Sequence, residues 1–279
     1  LADWSLPSLR PRRRPAMPPN PDLPIIGVTL FQLLLVAPVG GLAAIMGGVT
    51  GYGTGLILPL VLVPTIGAEA TVPVIGAASI LNNASRLYVF RQAIQWRLVG
   101  FITLISFPFC LAGAYFYSQL SGPWATTLIG AMLMLLVPAK RLLKRSGVRL
   151  RSTSLGFASA GFGLLVGGTA GSGIVLLSIL MAAGLSGRAV VATDATITFV
   201  LGLAKTGMFQ STGLMTPAAW AMALVIGLIA VPGAFIAKWL TERMPVRIHD
   251  LIIEAMVFLG GGLLVWRGIS ELSLRTNWG

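Results

Sequence analysis

Three long stretches of the chain, residues 99–139, 154–187 and 206–237, contain no Asp, Glu, Lys or Arg. Each exceeds the ~20 apolar residues needed to cross a bilayer. A soluble domain carries roughly a quarter of its residues as charges, whereas here 10% are charged and 56% are hydrophobic. The chain is therefore expected to be an all-α polytopic membrane protein. A membrane β-barrel would show alternating segments of ~10 residues, and the sequence has none.

The net charge of +12 would suggest nucleic acid in a soluble protein. Here the Lys and Arg residues sit in tails and between apolar segments, as the positive-inside bias requires, so no nucleic-acid partner is expected. The lone cysteine, Cys110, lies in an apolar stretch and reads as a packing residue. No cluster of Cys, His and carboxylate has metal-ligand spacing, the single His249 falls in a loop, and no nucleophile elbow is present. Neither an enzyme, a metal nor a cofactor is expected. Residues 1–23 are rich in Pro and Arg and are expected to be disordered. Met17 is a candidate start, and residues 271–279 read as a second tail.

Apolar segments fall at about 24–46, 55–66, 70–90, 98–118 and 124–139, then 153–167, 173–186, 189–209, 217–240 and 249–266. A basic break holding Lys140, Arg141, Lys144, Arg145, Arg149 and Arg151 separates the two sets of five. The sets overlay when position 47 is placed on 167. Gly47, Gly48, Gly51 and Gly53 then meet Gly167, Gly168, Gly171 and Gly173, Gly67 meets Gly187, and Leu81 meets Leu201. Two repeats are expected, at 24–145 and 149–270. Basic loops at Arg91–Arg97, at the centre and at Arg188 face the cytoplasm, while the uncharged loops at 118–123 and 210–217 face outward. Corresponding helices thus cross in opposite directions, the inverted-repeat design of many secondary transporters.

Segments 55–66, 153–167 and 173–186 are too short to span, at 1.5 Å of rise per residue. With the clusters GGVTGYGTG (47–55) and GGTAGSG (167–173) they describe glycine-broken or re-entrant helices. Such backbone is tolerated at membrane depth only against protein or a wet cavity. Glycine admits a close ligand, and the helix N-termini opening at Thr54–Gly55 and Ser172–Gly173 suit an anion. One cluster alone reads better as close helix packing; two in matched places, each with hydroxyls, favour a site.

These paired GxxGxG-type stretches, the duplicated layout and the basic central loop resemble the TauE/SafE family of sulfite and organosulfonate exporters, over about 25–270. The resemblance implies secondary transport of small sulfur-containing anions, with protons as a candidate coupling ion. The chain departs from the more usual GxGGG form, with GYGTG and GSGIV in its place.

Polar residues within the apolar segments complete the reading. Ser79, Asn82, Asn83 and Arg86 share one helical face, and Asp194, Thr198 and Lys205 share another. Ionisable groups at bilayer depth usually mark pathways or ion sites. The expected substrate-binding set is Gly51, Gly53, Thr54, Gly55, Asn82, Asn83, Arg86, Gly171, Ser172, Gly173 and Lys205, with Asp194 for ion coupling. Snorkelling to headgroups is the rival for Arg86 and Lys205, and pairing with Arg188 or Lys205 is the rival for Asp194. Trp96, Trp124, Trp220, Trp239 and Trp266 are expected at interfacial segment ends, as are His249, Asp250 and Glu254. An ion channel and a membrane assembly factor are the alternatives to a transporter of the cell membrane.

Overall fold

The computed structural model describes residues 38–43, 53–146, 152–241 and 246–276, and these are helical apart from short connections. The helices are α1 (residues 38–43), α2 (Gly53–Ile66), α3 (Ala68–Phe90), α4 (Trp96–Ser118), α5 (Gly122–Ser146), α6 (Ser152–Gly168), α7 (Gly173–Ala182), α8 (Arg188–Ser211), α9 (Pro217–Thr241) and α10 (Val246–Thr276). A 3-10 turn at Arg91–Ala93 links α3 to α4. The tail at 1–23 and Gly51 lie outside the described residues.

Local chemistry explains where several helices begin and stop. Gly67 and Gly187, matched by the sequence overlay, sit immediately before α3 and α8 with φ of +83° and +55°. A Cβ at either would meet nothing within 4 Å. The backbone conformation, not the space, therefore requires glycine there. α7 ends at Ala182, before the expected boundary at 186, because Gly184 at φ +93° turns the chain. The Leu185 N–H then bonds the Leu180 carbonyl at 3.0 Å, closing the end in the manner of a Schellman turn. α5 instead runs on to Ser146, through Lys140 and Lys144, and α10 continues to Thr276. Helical hydrogen bonds do not depend on apolar side chains, so both helices outlast their apolar segments. Trp266 consequently sits within α10 rather than at its end.

Two helix seams are built on small residues. α4 lies against α6, where a Cβ at Gly163 would come 2.8 Å from Ser106 Cα. Ser106 Oγ donates to the Ser159 carbonyl across this seam at 2.7 Å. α5 lies against α10, where a Cβ at Gly130 would come 2.7 Å from the Gly261 carbonyl oxygen. Small residues let backbones approach closely, which is the main source of helix affinity where water does not drive association. α3 packs on α8 and α9, and α8 packs on α3 and α4; α2 packs on α3 and α10, and α7 packs on α8 and α5.

The apolar interior divides into two clusters. One gathers Leu56, Leu62, Val72, Leu133, Met222 and Ile226; the other gathers Ile102, Phe162, Leu176, Leu180, Ile197 and Leu201. α3 and α8 meet between them. The outer surface carries Leu104, Phe157 and Leu263, each at least 70% exposed, with Phe116, Leu228 and Trp266 also exposed. Apolar exposure on this scale marks a surface covered by something other than water. α4 and α8 are both long and apolar enough to cross a membrane, and α4 has far more of its surface turned outward than α8.

Candidate functional site

α3 and α8 run antiparallel. Gly76 meets Lys205, Ser79 and Ile80 meet Gly202, and Arg86 meets Asp194, so one number rises as the other falls. This opposition sets the two polar faces expected from sequence against each other. Between them lies a cavity of about 100 Å³, several times what one water requires. Asn82, Asn83 and Arg86 line it from α3, Asp194, Thr198 and Lys205 from α8, and Gly55 from α2. The link between α6 and α7, Thr169–Gly173, forms a further wall, and Ile226 and Ala230 of α9 close it on an apolar side.

The two glycine clusters touch at this cavity. A Cβ on Gly55 would fall 2.6 Å from the Gly171 backbone nitrogen, and one on Gly171 would fall 2.6 Å from Leu56 Cδ2. Gly171 also has a φ of +84°, which turns the chain between α6 and α7. The second cluster is thus a true break: α6 stops at Gly168 and α7 starts at Gly173. Ser172 precedes α7 without capping it by a side-chain hydrogen bond. The first N–H groups of α7 are left without helical acceptors, as at any helix start, and they open beside the cavity wall.

Among the described residues, three charged side chains are buried. Arg86, Asp194 and Lys205 are each at most 6% exposed, so neither cation snorkels to a surface. Arg86 Nη2 stands 3.2 Å from Asp194 Oδ2, and Arg86 Nη1 donates to Asn83 Oδ1 at 3.4 Å. Asp194 therefore pairs across the helix crossing with Arg86; the rival pairing with Arg188 or Lys205 is not formed. Arg188 is exposed, and the antiparallel packing of α3 brings the guanidinium to Asp194 first. Lys205 Nζ donates to the Val166 carbonyl at 3.2 Å.

Hydrogen-bond capacity is left over, and it is mostly donor capacity. Arg86 Nη2 and Asp194 Oδ1 are buried without a well-directed hydrogen bond. The Asn82 side chain, 8% exposed, and the Ser172 hydroxyl, 4% exposed, find no partner among the described residues. Lys205 uses one of its three N–H groups. Two cations against one carboxylate, with unmet amide, hydroxyl and ammonium donors, are chemically suited to a small acceptor-rich anion.

Of the expected site residues, Gly55, Asn82, Asn83, Arg86, Gly171, Ser172, Gly173, Lys205 and Asp194 come together at this cavity. Gly53 and Thr54 form the start of α2. Sequence reasoning missed Gly76, whose missing side chain admits the Lys205 stem: a Cβ there would be 2.8 Å from Lys205 Cε. Its spacing of three from Ser79 and ten from Arg86 puts it on the same helical face, which was the available signal. Val166, the carbonyl partner of Lys205, left none.

No curated protein and no solved structure matches the chain. A model of the family described as sulfite exporter TauE/SafE matches residues 36–264, most of the chain. The matched region contains both glycine clusters, α3, α8 and every lining residue of the cavity. The family is one of transporters rather than enzymes, and it implies a membrane location and a sulfur compound as cargo. On this match, which agrees with the glycine motifs and the donor-rich cavity, the chain belongs to the sulfite exporter TauE/SafE family.

Proposed function

We propose that the protein is a secondary transporter of small sulfur oxyanions, sulfite or short sulfonates, in the cell membrane. The observation that carries this reading is the cavity lined by two buried cations and one buried carboxylate, with spare donors at Asn82, Asn83, Ser172 and Lys205. Arg86 and Lys205 would neutralise the anion, the amides and the Ser172 hydroxyl would bind its oxygens, and the start of α7 would add backbone N–H groups and a favourable dipole. A cavity of about 100 Å³ favours a compact anion over a bulky organic sulfonate.

Two five-helix repeats of opposite orientation would move around this site by alternating access. Pairwise packing supports that organisation. Exchanging each helix for its counterpart turns α3–α9 packing into α8–α4, α2–α3 into α7–α8, and α2–α10 into α7–α5, and all of these are present. The outward apolar surface supports a multi-pass protein in a lipid bilayer, with protons as the candidate coupling ion.

The test is sulfite flux in proteoliposomes. Wild type should carry sulfite saturably, Arg86→Ala should abolish flux, and Arg86→Lys should retain part of it. Wild-type flux in Arg86→Ala would remove Arg86 from the site. In a thermal-shift screen, stabilisation by carboxylates or cations alone would sink the sulfur-oxyanion reading.

A further inference from the structure

We propose that Asp194 is an internal competitor for the substrate anion, and that substrate binding at Arg86 loads one proton onto Asp194. This rests on the anion site proposed above and names how that site is coupled.

Asp194 Oδ2 occupies the position beside Arg86 Nη2, at 3.2 Å, that an entering oxyanion needs. Both groups line the same cavity, with Asn82 and Asn83 on the adjoining turn of α3. An anion that reaches Arg86 therefore stands within a few ångströms of the carboxylate. Like charges that close, in a poorly screened interior, repel strongly. The repulsion ends when the carboxylate takes a proton from bulk solvent: an O–H bond forms on Asp194, and a hydronium ion or buffer acid in the bulk gives up that proton. Arg86 is then freed for the incoming anion, and the protonated Asp194 can donate a hydrogen bond to it. On release the sequence reverses, the proton leaves, and Asp194 pairs with Arg86 again. A monoanion would thus travel with one proton, leaving the charge of the site unchanged between its empty and loaded forms.

Among the described residues that line the cavity, Asp194 is the one carboxylate. α3 contributes Arg86 to the lining and carries Glu69 in its first turn, outside the lining. α9 contributes Ile226 and Ala230 to the lining, neither of them ionisable. α8 contributes Lys205, held toward Val166, and the exposed Arg188. α4 contributes Cys110, whose Sγ contacts the Leu201 carbonyl at 3.7 Å, and the exposed Arg97. The 3-10 turn contributes the exposed Arg91, which lies over Tyr88. α6, α7 and the link between them carry no ionisable side chain.

The experiment is titration calorimetry of the purified full chain with methanesulfonate and thiosulfate, anions that do not themselves titrate near neutrality. Each titration is run in two buffers of different ionisation enthalpy. Wild type should take up about one proton per anion bound, and its affinity should rise as pH falls from about 8 to about 5. Asp194→Asn should bind with no proton uptake, no pH dependence over that range, and about tenfold or more tighter than wild type at the upper pH. Anion binding by wild type without proton uptake overturns the proposal, and this measurement needs no variant to fold. Equal uptake in Asp194→Asn overturns it as well. If wild type binds neither these anions nor sulfite, the anion site itself is wrong, and the coupling falls with it.

Discussion

Replacing Gly55 by alanine tests whether contact between the start of α2 and the link from α6 to α7 holds the site together. The added Cβ would lie 2.6 Å from the Gly171 nitrogen and 2.8 Å from its Cα. Ordinary contact begins at 3.4 Å, so the two backbones must part by about 0.8 Å. No side chain can absorb that shift, because the obstructing atoms are main chain. Overpacking of this kind costs about 1–3 kcal/mol. The displaced element is the link that carries Ser172 and the start of α7, so anion binding should weaken with stability. Gly100→Ala supplies the control. Gly100 lies within α4 with nothing within 4 Å of its Cβ position, and glycine inside a helix is about 0.5–1 kcal/mol worse than alanine. The assay is the thermal midpoint of the purified protein, with and without sulfite. Gly55→Ala should melt lower than wild type and lose most of the sulfite-induced shift, while Gly100→Ala should melt at or above wild type and keep the shift. If Gly55→Ala melts like wild type with its sulfite shift intact, the contact between Gly55 and Gly171 does not support the site.

Two further substitutions separate binding from folding. Lys205→Met keeps the volume of the stem against Gly76 but removes a charged donor; hydrogen bonds to charged groups are worth about 1.5–3 kcal/mol. Calorimetry should show sulfite affinity falling about 10- to 100-fold, and an unchanged affinity would remove Lys205 from the site. Tyr117→Phe deletes the hydrogen bond by which the Tyr117 hydroxyl at the end of α4 donates to the Ala68 carbonyl at the start of α3. It should lower stability by about 0.5–1.5 kcal/mol in thermal unfolding and leave anion affinity unchanged, since Tyr117 lies away from the cavity lining.

The helices themselves were legible in the sequence because their causes are local. Apolar length marks α4 and α8 as helices, and Gly67 and Gly187 turn the chain where an L side chain would be strained. The glycine clusters announced short, interrupted helices, and α6 and α7 are those helices. Helix ends were less legible wherever charge and helicity part company, as in α5, which carries its lysines beyond the apolar stretch. Periodicity also placed Asn82, Asn83 and Arg86 on one face and Asp194 and Lys205 on another, because 3.6 residues per turn is a property of each helix alone.

Tertiary structure decided what those faces meet. The antiparallel crossing of α3 on α8 sets Arg86 against Asp194 and slides the Lys205 stem over Gly76. Tertiary packing also brings Gly55, at the start of α2, onto Gly171 in the link between α6 and α7. Sequence established that charges lie within apolar helices; only packing established that they are buried and which of them pair. The reason is geometric. Helical spacing fixes positions along one axis, whereas a site between two helices depends on their direction, offset and separation, which come from all the contacts that hold them together.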